Sequence, residues 1–500
     1  METTNAAFKR TKIVATLGPA SDKVETIADL IRAGVDVFRL NFSHSDPEAA
    51  RVLVAAVREA RGSLRSPVAI MADIKGPAVR MYGYAKSIAL EAGSILEIES
   101  RPPEGIELLA SPDASRVYTN LPDIDALCAI GQKVLLMDGY FAGEVVARGG
   151  AAGGAGGGGS VSVRVGNPGS LRPKAHLTIP RVDYPIPFLS EKDIRDITFA
   201  AEAGVEYIAL SFVRNATDIE EVRRLIQRTL APSGRKNQVK LIAKIESAKG
   251  LDAAAEILGA ADGIMVARGD MGVEIAIETV PIAQKRLIRD GFLSAKPVIT
   301  ATQMLESMIE SPRPTRAEAS DVANACFDST SAVMLSGETA IGRFPVKVVE
   351  TMSAIIRQVE AEFDYELFHE RMPPEVRAGK LAAIMSYNAV SVAYQTGAAG
   401  VAVLTETGNA AQLISRLRPR MPIFAFVKDE TVYNQMAMNW GVRPFLLAGP
   451  EESLDALVAE IIDTCSYAGA LKKGDRLVVV AGLPLSRRGT TNMIRVETVA

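Results

Sequence analysis

Short apolar runs punctuate the chain, and between them lie longer stretches in which apolar residues recur with helical spacing. Runs at 12–16, 35–40, 68–71, 205–211, 240–245, 263–267, 297–300 and 332–335 have the length and branched character of buried strands. Stretches such as 22–33, 46–61 and 346–362 carry the recurrence of amphipathic helices. Continuous apolar runs are what parallel strands need when helices cover one face and a core fills the other. Eight strand–helix units in succession predict a closed (β/α)₈ barrel. An open doubly wound sheet is the alternative, disfavoured because no glycine-rich dinucleotide turn follows an early strand.

Two regions break this rhythm. From residue 78 to about 174 the apolar runs are short and of β type, as at 94–98, 133–137 and 161–165, and no long amphipathic helix separates them. A small β-barrel inserted over 77–174 is the expectation. Its 149–159 stretch is nearly all Gly and Ala, which predicts a flexible hairpin tip. It is no phosphate cradle, because no Lys-Ser/Thr pair follows. Gly76-Pro77 and the proline-containing 174–187 would be the hinges. Past residue 362, a helix at 381–396 and apolar runs at 401–404, 422–426 and 476–480 predict a separate α/β domain over 363–500. The barrel then takes 1–76 and 175–362, and the fold class is α/β.

Composition narrows the function classes. The chain of 500 residues is 48% hydrophobic, enough for several cores, and its formal net charge of -3 argues against a nucleic-acid partner. No apolar run reaches the ~18 residues of a membrane span, and residues 1–10 lack the apolar centre of a signal peptide. Cys128, Cys326 and Cys465 lie too far apart in sequence for a disulfide framework or a metal knuckle. Each reads as a small core residue, which suits a reducing cytoplasm.

Chemistry-bearing residues gather where the predicted strands end. Strand two leads to Arg39, Asn41, Ser43 and His44, strand three to Asp73 and Lys75, strand five to Lys244 and Glu246, strand six to Arg268, Gly269 and Asp270, strand seven to Thr300 and Thr302, and strand eight to Ser336 and Glu338. Barrel active sites sit at that end, and a buried strand does not end in charge unless something there requires it. Glu246 and Asp270 supply the hard oxygens that Mg²⁺ prefers. Lys244, Arg39 and Arg80 can neutralise a phosphoryl group in transfer. Asn41, Ser43 and Asp73 add oxygens for a monovalent-cation cage, backbone N–H groups at Gly269 can meet a carboxylate, and Thr302 can pass a proton through water. The residues point to metal-assisted phosphoryl transfer.

Eight motifs carry a further likeness: Lys12-Ile-Val-Ala-Thr-Leu-Gly-Pro19, Arg39-Leu-Asn-Phe-Ser-His44, Asp73-Ile-Lys-Gly-Pro77, Ala243-Lys-Ile-Glu246, Met265-Val-Ala-Arg-Gly-Asp-Met-Gly272, Ala301-Thr-Gln-Met-Leu-Glu-Ser307, Pro312-Arg-Pro-Thr-Arg-Ala-Glu318 and Met334-Leu-Ser-Gly-Glu-Thr339. In this order they resemble the pyruvate kinases. The resemblance implies that the insert is a lid, that the C-terminal domain is regulatory, and that the enzyme is a cytoplasmic homotetramer. It would transfer the phosphoryl group of phosphoenolpyruvate to ADP, giving ATP and pyruvate at the last step of glycolysis. By that likeness Lys244, Thr302 and Arg39 are catalytic, and Arg39, Lys244, Gly269, Asp270 and Thr302 bind substrate. Asn41, His44, Arg80 and Lys174 serve the nucleotide, Glu246 and Asp270 hold Mg²⁺ (or Mn²⁺), and Asn41, Ser43, Asp73 and the carbonyl of Ile74 hold K⁺.

The chain departs from the family pattern at Ala78, where members that require K⁺ carry Glu and members that do not carry Lys, so weakened or altered K⁺ dependence is expected. Lys249 replaces an acidic or amide residue and is expected on a helix surface. A phosphorylated effector is expected at Thr405, Thr407, Gly408 and Asn409, where a strand gives way to a helix N-terminus, with Arg487 and Arg488 in a second loop. Another phosphoenolpyruvate or pyruvate-enolate barrel enzyme would not need Lys244, Arg80 and a lid. A silent metabolite-sensing homologue would be expected to have lost some of Lys244, Glu246, Asp270 and Thr302, and all are present.

Overall fold

The computed structural model describes residues 8–43, 45–100, 116–149, 159–234, 238–447, 453–483 and 491–500. Eight parallel strands close into a barrel: β1 (Lys12–Thr16), β2 (Val37–Asn41), β3 (Ala69–Ile74), β4 (Tyr207–Leu210), β5 (Lys240–Ile245), β6 (Gly263–Ala267), β7 (Val298–Ala301) and β8 (Ala332–Leu335). β8 returns to β1 with Lys12 opposite Ala332. All eight expected strands are present, their ends displaced by a few residues.

Strand alternation explains how one sequence serves two environments. Val14, Val37, Met71, Ala209, Ile242, Met265 and Met334 fill the barrel interior. Their neighbours Ile13, Phe38, Ile70, Ile208, Leu241 and Ile264 pack outward against the helices. Two residues beyond the inward apolar positions, the same face carries Thr16, Arg39, Asp73, Ser211 and Lys244, because successive side chains alternate. The interior is thus apolar below and polar at the mouth.

Several outer helices begin with built-in stops. Helix Pro47–Leu64 is capped by Asp46, which accepts the Ala49 N–H, and has proline in its first turn. Helix Glu191–Ala203 opens with a Ser190–Asp193 capping box. The same Asp193 accepts the Gly76 N–H at 3.1 Å, fixing the point where the chain leaves the barrel. Gly76 has φ +69°, and a Cβ there would come within 2.6 Å of the Ser211 carbonyl oxygen, so only glycine fits.

The insert is a seven-stranded sheet ordered Leu177–Thr178, Lys133–Leu136, Phe141–Gly149, Ser160–Val165, Ile95–Ser100, Arg116–Thr119 and Met81–Tyr82. Its two edges meet through an Arg80–His176 bridge, with the Met81 N–H donating to Ala175 O (2.9 Å) and the Leu177 N–H to Val79 O (3.0 Å). A small barrel with its own core around Leu96, Ile98, Val117, Phe141 and Val163 results. Strands Phe141–Gly149 and Ser160–Val165 pair with Gly149 opposite Ser160. The 149–159 tip expected between them lies, from 150 to 158, outside the described residues.

The C-terminal sheet runs Val442–Leu446, Ile423–Val427, Gly400–Leu404, Arg476–Ala481, Met493–Thr498, with only the last strand antiparallel. Met438 from this region joins the apolar interior of the barrel, and the Tyr207 hydroxyl donates to Gln435 O at 2.7 Å. The three cysteines are buried and unpaired. Among the described residues no helix is long and apolar enough to cross a membrane.

Candidate active site

β5 delivers Lys244 and Glu246 to the mouth two residues apart, so both point inward. The Lys244 ammonium lies 3.2 Å from Asp73 Oδ1 and 2.9 Å from Glu246 Oε1, and donates to Ser211 Oγ at 2.7 Å. Burial pushes the pKa of this amine down, but the carboxylates of Asp73 and Glu246 outweigh it and the net position is about 12. Lys244 is therefore a fixed cation. Asp73 feels the same contest with opposite sign. Burial raises it, while Arg39 and Lys244 hold it below the usual carboxylate range.

β2 supplies Arg39, whose Nε donates to Asp73 Oδ2 at 2.6 Å and whose Nη1 donates to Thr16 Oγ1 at 3.1 Å. Thr16 in turn donates to Leu335 O at 2.9 Å. Thr16 and Ser211 end the two strands, one and four, for which no candidate was expected. A single hydroxyl at a strand end is too common a signal to single out, yet these two hold the guanidinium and the ammonium.

Glu246 is 1% exposed and accepts the Phe212 N–H at 2.6 Å. Burial, with added repulsion from Asp270, pushes its carboxyl up to about 7 in spite of Lys244. A buried Glu246 beside a partly exposed Asp270 favours a cation between the two carboxylates. Among the described residues no group of three or more His, Cys, Asp and Glu could hold a metal ion. The oxygen donors of the Glu246–Asp270 pair suit a hard cation such as Mg²⁺.

Thr302 is held in an uncommon backbone conformation, φ 69°, followed by Gln303 at 54°. For a β-branched residue this is an outlier that its surroundings must enforce. Arg268 does so from the start of helix Arg268–Glu274, which follows β6. Its Nε donates to Ala301 O (3.2 Å) and its Nη2 to Thr302 O (2.5 Å), while Nη1 pairs with Asp321 at 2.6 Å. The Thr302 hydroxyl donates to Ala301 O at 2.7 Å and accepts the Gly269 N–H at 2.9 Å. The Gly269 N–H expected to be open to a carboxylate is therefore already engaged, because Thr302 folds back over it.

The oxygens expected around K⁺ share one edge of the mouth, with Asn41 opposite Asp73 in the β2–β3 register. Asn41 Oδ1 accepts the Ser43 N–H (3.1 Å), and Ile74 O accepts the Ser211 hydroxyl (2.8 Å). Each oxygen keeps a further lone pair, so the donor chemistry suits a large monovalent cation. In the insert, the Arg80 N–H donates to Asn120 Oδ1 (2.8 Å) and its Nη1 to Lys174 O (2.9 Å), which brings these two nucleotide candidates together. His44 lies outside the described residues.

Lys249 lies on the exposed face of helix Ala248–Asp252, as expected, and there it forms an ion pair with Asp183 on the return connection from the insert. Both flank a small cleft whose walls include Pro77, Tyr184, Phe212 and Glu274. In the C-terminal domain Thr405 Oγ1 accepts the Gly408 N–H at 3.1 Å at the head of helix Asn409–Arg416, with Thr407 in the same turn. Arg487 and Arg488 lie outside the described residues.

Comparison with known proteins gives a consistent result. The family profile described as pyruvate kinase, barrel domain, matches residues 8–349, and that described as pyruvate kinase, alpha/beta domain, matches residues 383–497. The chain is 39% identical to a pyruvate kinase of Geobacillus stearothermophilus over 98% of its own length and 81% of the relative's. It is 37% identical to one of Clostridium acetobutylicum over 98% of its own length and 100% of the relative's. A crystal structure of a pyruvate kinase from Cryptosporidium parvum superposes with a TM-score of 0.90 at 32% identity, covering 100% of this chain and 98% of that one.

Proposed function

The chain belongs to the pyruvate kinase family, and from that premise we propose how its barrel mouth carries the family's reaction. The activity is that of a phosphotransferase, passing the phosphoryl group of phosphoenolpyruvate to ADP to give ATP and pyruvate. The observation that carries the residue assignment is the buried Lys244 ammonium, kept charged by Asp73 and Glu246 and oriented by Ser211.

Lys244 and Arg39 face the phosphoryl group and balance its charge as the bond to the enolate oxygen breaks and the bond to the ADP oxygen forms. The substrate carboxylate takes the N–H groups of Gly269 and Asp270, displacing the Thr302 hydroxyl. Thr302, freed from Gly269, relays a proton through water to the enolate carbon, yielding pyruvate. Glu246 and Asp270 would hold Mg²⁺ (or Mn²⁺), and Asn41, Ser43, Asp73 and Ile74 O would hold K⁺; when bound, these cations supply charge neutralisation at the phosphoryl oxygens. Asn41, Arg80 and Lys174 serve the nucleotide, and the insert is the lid that excludes water over it. Residues 1–76 with 175–362 form the barrel domain, 77–174 the lid and 363–500 the regulatory domain. A homotetramer in the cytoplasm, with a phosphorylated effector at Thr405, Thr407, Gly408 and Asn409, completes the reading.

The test is a lactate-dehydrogenase-coupled assay with phosphoenolpyruvate, ADP, Mg²⁺ and K⁺. Lys244→Met should lower kcat about a thousandfold with the fold intact by circular dichroism; full turnover by that variant would refute the role. Equal initial rates with and without K⁺ would remove the cation cage. An unshifted phosphoenolpyruvate saturation curve with every sugar phosphate and with AMP would remove the effector site.

A further inference from the structure

Lys75 has no role in the site described above, yet it stands where four cations converge. It is the residue after Ile74 at the top of β3, immediately before the chain enters the lid. The charges that act on it are those of the cations Arg80, Lys192 and Lys174 and of the carboxylate Asp193. Asp193 is itself engaged, accepting N–H groups from Gly76 and Ser190. Lys192 is also tied down, donating to Phe42 O (2.7 Å) and pairing with Asp196 at 2.5 Å. Among the described residues, the ammonium groups of Lys75 and Lys174 have no acceptor, and the buried Arg80 Nε has none either. The charges of Lys75, Arg80 and Lys174 repel one another, and a polyanion placed among them removes that repulsion.

We propose that Lys75 is a further phosphate-binding residue. It would reach the polyphosphate of the nucleotide from the barrel side while Arg80 and Lys174 reach it from the lid side. The placement follows from the chain path. Lys75 and Arg80 lie on the outgoing connection and Lys174 on the return, with Arg80 Nη1 bonded to Lys174 O. Gly76 is locked between Asp193 and Ser211, so the Lys75 backbone stays with the barrel when the lid moves. A diphosphate spanning the three cations therefore pulls lid and barrel together. The inference rests on the phosphotransferase reading and assigns it one more residue.

The experiment compares wild type, Lys75→Met and Lys75→Arg. Lys75→Met should raise the KM for ADP about tenfold, leave the KM for phosphoenolpyruvate within twofold, and keep the thermal midpoint. Lys75→Arg should recover most of the ADP affinity. A binding readout without turnover is calorimetric titration with inorganic pyrophosphate, which Lys75→Met should bind about tenfold more weakly than wild type. Unchanged ADP and pyrophosphate affinities in a folded, active Lys75→Met enzyme would overturn the inference while leaving the phosphotransferase reading intact. Absence of wild-type turnover would instead strike that reading.

Discussion

Ser211 makes the sharpest test of how the mouth is built. Its hydroxyl accepts from Lys244 Nζ at 2.7 Å and donates to Ile74 O at 2.8 Å, and the residue is 4% exposed. Alanine removes both bonds and leaves little room for water to replace them. A hydrogen bond to a charged partner contributes about 1.5–3 kcal/mol. Lys244 keeps Asp73 and Glu246 in the variant, so its charge stays balanced and what it loses is position. A loss of about 2 kcal/mol in transition-state stabilisation corresponds to about a thirtyfold fall in kcat. The coupled assay should show that fall for Ser211→Ala, with the thermal midpoint recorded alongside to exclude unfolding. The decisive comparison is a double-mutant cycle with Lys244→Met. If Ser211 acts through Lys244, the alanine change should cost less than about twofold in the Lys244→Met background. An equal thirtyfold loss in both backgrounds, or a folded Ser211→Ala enzyme with wild-type kcat, would refute the reasoning.

Two further outcomes follow from the same geometry. The Glu246 carboxyl is pushed from 4.5 to about 7 by burial, with Asp270 adding to it. Its contribution to stability is thus present below pH 4.5 and lost as pH rises through 7, a loss of about 3 kcal/mol in the metal-free protein. Mg²⁺ should accordingly raise the thermal midpoint more at pH 8 than at pH 6; equal shifts at both would sink the assignment of Glu246 as a ligand. The Lys249–Asp183 pair is about half exposed (44% and 55%), so Lys249→Ala should change stability by less than about 1 kcal/mol. It should nevertheless speed amide exchange in the return connection, residues 179–186, and unchanged exchange there would show that the pair does not restrain the lid.

What the sequence made legible has a physical boundary. Lys244, Glu246, Arg39 and Asp73 stood out because charge at the inward end of an apolar strand has no cheap structural explanation. In the barrel, strand alternation puts all four on the same interior surface, where Arg39 pairs with Asp73 and Lys244 lies between Asp73 and Glu246. Thr16 and Ser211 carried no comparable signal, since a strand-end hydroxyl is ordinary until its partners are known. The Lys249–Asp183 pair and the seating of Met438 in the barrel interior join residues far apart in the chain, which no local pattern encodes. Nor does composition reveal backbone conformation: nothing in Ala301-Thr-Gln303 announces two consecutive left-handed residues.

That backbone gives a role to Arg268, which stood out at the end of strand six without one. Left-handed φ at Thr302 and Gln303 costs about 1–3 kcal/mol each, and the forked donation of Arg268 to Ala301 O and Thr302 O is the interaction that opposes relaxation. Lysine retains the charge that pairs with Asp321 but cannot supply the fork. Arg268→Lys should therefore let the Thr302 segment relax, moving the hydroxyl from the Gly269 N–H that a substrate carboxylate must also reach. Proton delivery to the enolate depends on that hydroxyl, whereas phosphoryl transfer depends on Lys244 and Arg39. The variant should accordingly slow solvent-proton incorporation into pyruvate about tenfold or more while changing phosphoryl transfer less. A mass-spectrometric assay of deuterium exchange into added pyruvate separates the two steps, and an exchange rate equal to wild type would show that Arg268 serves the fold alone.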